Sequence, residues 1–110
     1  MEIKDLMTYL HGMARSCSGK ADWFDKVNAP ALSEYYRYAQ SCVLDLIDVI
    51  HADKNIKTVE NIAELVDNMR HAALGECMQF RFERIAKFAE LAMVKFSILG
   101  EIEFHIERNS

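Results

Sequence analysis

The chain has 110 residues, of which 51% are hydrophobic and 27% charged, a balance that fits one folded domain and excludes a disordered polypeptide. Thirteen Lys and Arg against seventeen Asp and Glu leave a formal charge of −4, so a phosphate-neutralising surface is not expected and nucleic acid is disfavoured as a partner. Four Gly and one Pro are too few for an all-β chain full of tight turns.

The start, Met1 to Asp5, carries neither a basic cluster nor an apolar run, so no secretory signal is read there. Cys17, Cys42 and Cys77 are odd in number and include no CxxC pair. They read as reduced, small, buried residues, and a cytoplasmic location is the expectation. No stretch approaches the roughly 20 apolar residues of a membrane span, since the richest, Leu91 to Leu99, is broken by Lys95 and Ser97.

Ile3, Leu6, Met7, Leu10, Met13, Ala14 and Cys17 repeat at helical spacing and predict a first helix over about 2–16. Ser16, Ser18 and Gly19 are expected to end it. Residues 22–27, around Trp23 and Phe24, could add one short helical turn. Pro30 then suits the first turn of a second helix, about 31–51, because its missing N–H would lack an intrahelical partner there. Its stripe is Leu32, Tyr35 or Tyr36, Ala39, Val43, Leu46 and Ile50.

Asp53 to Lys57 is a polar break of the length that joins antiparallel helices, and Thr58 offers a capping oxygen to a third helix over about 58–74. Val59, Ile62, Leu65 or Val66, Met69 and Ala73 form its apolar face. Gly75 is the only backbone punctuation before a long fourth helix, about 76–107. The second reading fuses both into one rod across Gly75, about 75 Å long at 1.5 Å per residue. Leu74, Met78, Phe82, Ile85, Ala89, Ala92, Phe96 and Leu99 fall on one broad face of helix four. So wide an arc must be covered from more than one side, by a central place in the bundle or by a second copy in a homodimer. Period-two alternation at Glu101 to Ile106 could mark a terminal strand, but helix is the better reading. No internal repeat is visible. The expected fold is an all-α, four-helix up-and-down bundle in one domain, 1–110.

Catalytic motifs are missing. Gly12 to Gly19-Lys20 has six residues between the glycines and Ala21 where a phosphate loop needs a hydroxyl. No metal site is expected. Glu101 and His105 share a helical face, but nothing marks further ligands. Asp45 with Asp48, and Glu60 with Glu64, read as solvated edges rather than an acid–base pair.

Two constellations remain. Arg81, Arg84 and Lys95 interleave with apolar residues on helix four. They predict either stems packed with heads paired to Asp45 or Asp48, or a basic interhelical pocket for an anionic ligand. Trp23, Phe24, Tyr36 and Arg37 include the three residue types, Trp, Tyr and Arg, that dominate interface hot spots. They mark a candidate partner-binding patch, with Trp23 capping the core as the structural alternative. The functional expectation is a small acidic protein-interaction module, an adaptor, chaperone or inhibitor docking on a larger complex or enzyme, with no chemistry and no cofactor of its own. The alternatives are an anionic-ligand binder using Arg81, Arg84 and Lys95, and an enzyme whose site is assembled across a dimer.

Overall fold

Four helices of nearly equal length account for the computed structural model, which describes residues 1–110. They are α1 (Ile3–Lys26), α2 (Pro30–Ala52), α3 (Val59–Phe82) and α4 (Ala86–Arg108). The all-α bundle expected from the sequence is present, and no strand forms at residues 101–106.

Two helix boundaries differ from the sequence reading. α1 does not stop at Ser16–Gly19 but continues to Lys26, so residues 22–27 are chiefly its last turn rather than a separate one. Its buried positions Leu6, Leu10, Ala14, Cys17 and Ala21 keep helical spacing through the Ser and Gly, and packing outweighs weak local propensity. α3 likewise passes through Gly75, carried by buried Ala73 and Cys77. The break falls instead at Glu83–Ile85, so neither the stop at Gly75 nor the continuous rod forms.

The connections explain these boundaries. At the end of α1, Asn28 has a left-handed φ of 60°, and at the end of α3 Arg84 has a φ of 62°. Each turn carries the same bonds. The N–H of Ala29 reaches the carbonyl of Phe24 at 2.8 Å, and that of Ile85 reaches Phe80 at 2.8 Å. One residue earlier, Asn28 bonds Asp25 at 3.2 Å and Arg84 bonds Arg81 at 3.1 Å. Such paired bonds satisfy the last carbonyls of a helix and reverse the chain. Asn adopts this conformation readily, whereas Arg gives no local signal for it. At the third connection, Thr58 caps α3 as expected. Its hydroxyl accepts from the Asn61 N–H at 3.1 Å, and Asn61 Oδ1 accepts from the Thr58 N–H at 3.1 Å.

The two hairpins are copies of one plan. Each has a helix of 24 residues, a three-residue turn and a helix of 23 residues, so Ile3 corresponds to Val59 and every later position is shifted by 56. Buried side chains coincide: Leu6 with Ile62, Leu10 with Val66, Cys17 with Ala73, Val43 with Leu99, Leu46 with Ile102 and Ile50 with Ile106. An internal repeat therefore exists where the sequence reading found none. It is a repeat of burial rather than of identity. Few paired residues match, among them Met13 with Met69, Gly19 with Gly75 and Phe24 with Phe80.

The hairpins meet along α2 and α4, with both tight turns at one end of the bundle. Lys87 Nζ contacts Glu34 Oε1 at 3.1 Å across the starts of these helices. The main core lies toward the opposite end and is built from Leu6, Leu10, Val43, Leu46, Ile62, Leu99 and Ile102. Near the turns the buried inward positions are small, Ala21, Ser33, Ala89 and Ala92, and an open cleft lies between the hairpins there. The radius of gyration is 14.7 Å, against about 13 Å for a compact chain of this length.

Candidate functional site

Trp23 and Phe24 end α1, Tyr36 and Arg37 open α2, and the first hairpin turn brings all four together. Phe24 stacks on Tyr36 at 5.6 Å with rings 7° apart, and Trp23 meets Phe24 edge-on at 5.0 Å. Tyr35 and Tyr36 pack edge-to-face at 5.0 Å, and Lys20 lies 5.3 Å over the Tyr36 ring. Trp23 is 57% exposed, so it does not cap the core; Val27, Leu32 and Tyr35 are exposed around the same turn. This is an aromatic surface held from beneath by Phe24 and Tyr36.

Arg37 has a different part in it. Its guanidinium bonds Asp22 at 3.3 Å and also the carboxylate of Asp25, so it clamps the end of α1 to α2 instead of presenting a free charge. The buried Ser33 hydroxyl and the Arg37 guanidinium hold the Asp25 carboxyl below the usual carboxylate range. Asp25 and Asp22 in turn push Arg37 further above its ordinary value.

Arg81, Arg84 and Lys95 do not converge. Arg81 and Arg84 are exposed at the second turn, while Lys95 is half-buried on α4, near enough to Cys42 to act on its thiol. None of the three forms an ion pair, so the pairing with Asp45 or Asp48 is not made. None lines a cavity either. The expected basic pocket needed α4 to begin at residue 76. With the chain reversed at Arg84, Arg81 belongs to α3 and the helical wheel joining it to Lys95 no longer applies.

Three open clefts exist. One of about 650 Å³ lies between the hairpins, lined by Ala31, Glu34, Tyr35, Ala86, Lys87, Glu90, Leu91 and Val94. Ala31, Glu34 and Tyr35 correspond by the 56-residue shift to Lys87, Glu90 and Leu91, so this cleft lies between equivalent surfaces of the two hairpins. A second, about 460 Å³, includes Tyr9, Tyr35, Tyr36, Lys20 and Glu101. The third, about 210 Å³, is lined by Tyr38, Glu76, Phe80, Phe88, Leu91 and Ala92. His105 stacks on Tyr9 at 3.5 Å, and no three His, Cys, Asp or Glu side chains converge as a metal set. Cys17, Cys42 and Cys77 are buried and free. Burial pushes the Cys17 and Cys42 thiols up, away from the thiolate.

A second apolar surface lies at the end of α3 and its following turn. Leu74, Met78, Phe82 and Ile85 belong to the broad face that the sequence reading needs covered by the bundle or by a second copy, and the bundle does not cover them: all are exposed, Met78 by 65% and Phe82 by 90%. The misplaced boundary set them on helix four. A wheel begun at Val59 and carried unbroken to Phe82 sets Phe82 opposite Ile62, Val66 and Ala73, Met78 nearly so, and Leu74 on the flank between.

No helix is long and apolar enough to cross a membrane. Comparison of the chain with protein-family models, curated proteins and solved structures finds no match.

Proposed function

We propose that this chain is a protein-docking module whose partner seats on the aromatic turn between α1 and α2, with no chemistry of its own. The observation that carries the reading is the placement of Trp23, 57% exposed yet fixed by its edge contact with Phe24 and the Phe24–Tyr36 stack. A large aromatic held rigid before binding loses little conformational freedom on contact, which is what makes such residues hot spots. Exposed Val27, Leu32 and Tyr35 extend the apolar ground around it. The reading includes an adaptor, chaperone or inhibitor role on a larger protein, and self-association through a separate face.

The anionic-ligand alternative drew its support from a pocket of Arg81, Arg84 and Lys95. Those residues stand apart, and no observation favours that reading over docking.

Trp23 is the only tryptophan, so its emission reports the patch directly. A docked partner excludes water from the indole and shifts the emission to shorter wavelength. Trp23→Phe keeps an aromatic ring and weakens binding mildly. Trp23→Ser loses on the order of 2 kcal/mol, about thirtyfold in Kd. Binding by Trp23→Ser equal to wild type would move the docking site elsewhere.

A further inference from the structure

The repeat provides an internal control for the exposed side chains of α3. Leu74, Met78 and Phe82 follow one another at every fourth position on the outer side of that helix. By the 56-residue shift they occupy the places of Ser18, Asp22 and Lys26 on α1. Both helices have the same length and the same following turn, and four of their five buried positions coincide, so the hairpin fold itself accepts polar residues at these places. One copy of the hairpin is solvated there and the other is apolar. The ridge is not needed to build the bundle.

With Ile85, these side chains expose roughly 500 Å² of largely apolar surface, in the upper part of the range of a monomer's largest patch, which is often functional. The whole chain exposes 7108 Å², whereas a compact monomer of 12.7 kDa exposes about 6,200 Å². That excess of roughly 900 Å² belongs to the whole chain; the ridge itself, at roughly 500 Å², supplies a large part of the roughly 800 Å² that each partner contributes to a standard stable interface.

Charge permits a second copy as the occupant and disfavours an anionic surface. Residues 74–85 carry Glu76 and Glu83 against Arg81 and Arg84, a net of zero in a chain of −4. Two acidic copies can therefore approach through this face without like-charge repulsion. The same neutrality gives an anionic lipid surface no electrostatic hold. The i, i+4 row is inclined to the helix axis, and two such rows pack self-complementarily about a two-fold axis at Met78, with Leu74 of one copy on the side of Phe82 of the other.

We infer that a second copy of this chain covers the Leu74–Met78–Phe82 ridge, giving an antiparallel α3–α3 homodimer. The inference rests on the self-association included in the proposed function, but not on docking at Trp23.

The test is light scattering during size exclusion, with sedimentation over about 5 to 500 µM, on wild type, Phe82→Lys, Met78→Glu and Trp23→Ser. Wild type is expected to approach about 25 kDa, twice 12.7 kDa, as concentration rises. Phe82→Lys and Met78→Glu are expected to stay monomeric with unchanged helical circular dichroism, because both side chains point away from the core; Trp23→Ser is expected to dimerise like wild type. If one ridge variant loses helicity, the folded one decides. A wild type that remains monomeric throughout overturns both self-association and this interface. A dimer that survives the folded ridge variants, or is broken by Trp23→Ser, overturns the interface assignment alone. A monomer that binds phosphatidylglycerol vesicles through Phe82 also overturns it, in favour of a lipid surface. In every case the docking reading stands or falls separately, on the Trp23 titration.

Discussion

Arg84 is the place where backbone and residue type disagree, and replacing it gives a sharp test of the fold. A non-glycine L-residue in the left-handed region costs about 1–2 kcal/mol, and Arg84 bears this at a φ of 62° with an exposed, unpaired side chain. Arg84→Gly removes that cost. The greater freedom of glycine in the unfolded chain returns roughly 0.5–1 kcal/mol of it. The net is a stabilisation of about 0.5–1 kcal/mol, or about 2–4 °C in Tm for a domain near this size. Arg84→Val goes the other way, because a β-branched residue at positive φ is a true outlier. Asn28→Gly at the matching turn changes Tm less than Arg84→Gly, since Asn already tolerates φ near 60°. Thermal circular dichroism at low micromolar protein, where association contributes little, reads all three. A lower Tm for Arg84→Gly, or no loss for Arg84→Val, would refute a left-handed reversal at residue 84 and with it the boundary between α3 and α4.

Further outcomes follow from the repeat and from burial. Leu46→Ala and Ile102→Ala occupy equivalent, fully buried places, so each is expected to cost about 2–5 kcal/mol in urea unfolding, with similar values for the two; a surface-like loss at either would deny the shared core. Gly75→Ala puts a Cβ into open space within a helix and is expected to stabilise by about 1 kcal/mol, where a helix end at Gly75 would make it neutral or harmful. Burial, with Cys42 beside it, pushes the Tyr38 hydroxyl from 10.0 up to about 12. The folded chain thus holds a proton that the unfolded chain loses, so the contribution of Tyr38 to stability is level below pH 10 and falls as pH rises toward about 12. Tyr38→Phe should flatten that alkaline fall, as read by urea unfolding at stepped pH.

Much of the architecture was legible because helical periodicity survives from a single sequence. Leu6, Leu10, Val43, Leu46 and Ile62 read as core-facing and are buried, and of Leu65 and Val66 it is Val66 that is buried; Leu32, read as part of the helix-two stripe, is instead 47% exposed because it lies in the first turn of α2 beside the hairpin reversal. Pro30 and Thr58 marked the helix starts they form. The two boundary errors share one cause, the weight given to glycine as punctuation. Gly19 and Gly75 lie inside helices whose apolar stripes run past them, while the real reversals use Asn28 and Arg84. Nothing in the composition near Arg84 announces a turn, because the backbone bonds to Phe80 and Arg81 define it. That single displacement set Met78 and Phe82 on helix four, created the apparent basic pocket, and hid the equal hairpins from view. The aromatic patch was legible in its members, since Tyr35, Tyr36 and Tyr38 cannot all face one core. Its geometry was not, because the extension of α1 to Lys26 decides that Trp23 faces outward and that Arg37 is spent on Asp22 and Asp25.

The central claim is that Trp23 and its supporting aromatics form a protein-docking surface. Parallel capture from a source lysate with tagged wild type and tagged Trp23→Ser, quantified by mass spectrometry, tests it most directly. The account predicts one protein near one-to-one stoichiometry with wild type and its loss with Trp23→Ser, while the helical spectrum and Tm of the variant stay as in wild type. Recovery of the same protein by both baits, or of only the chain itself by wild type, would contradict it.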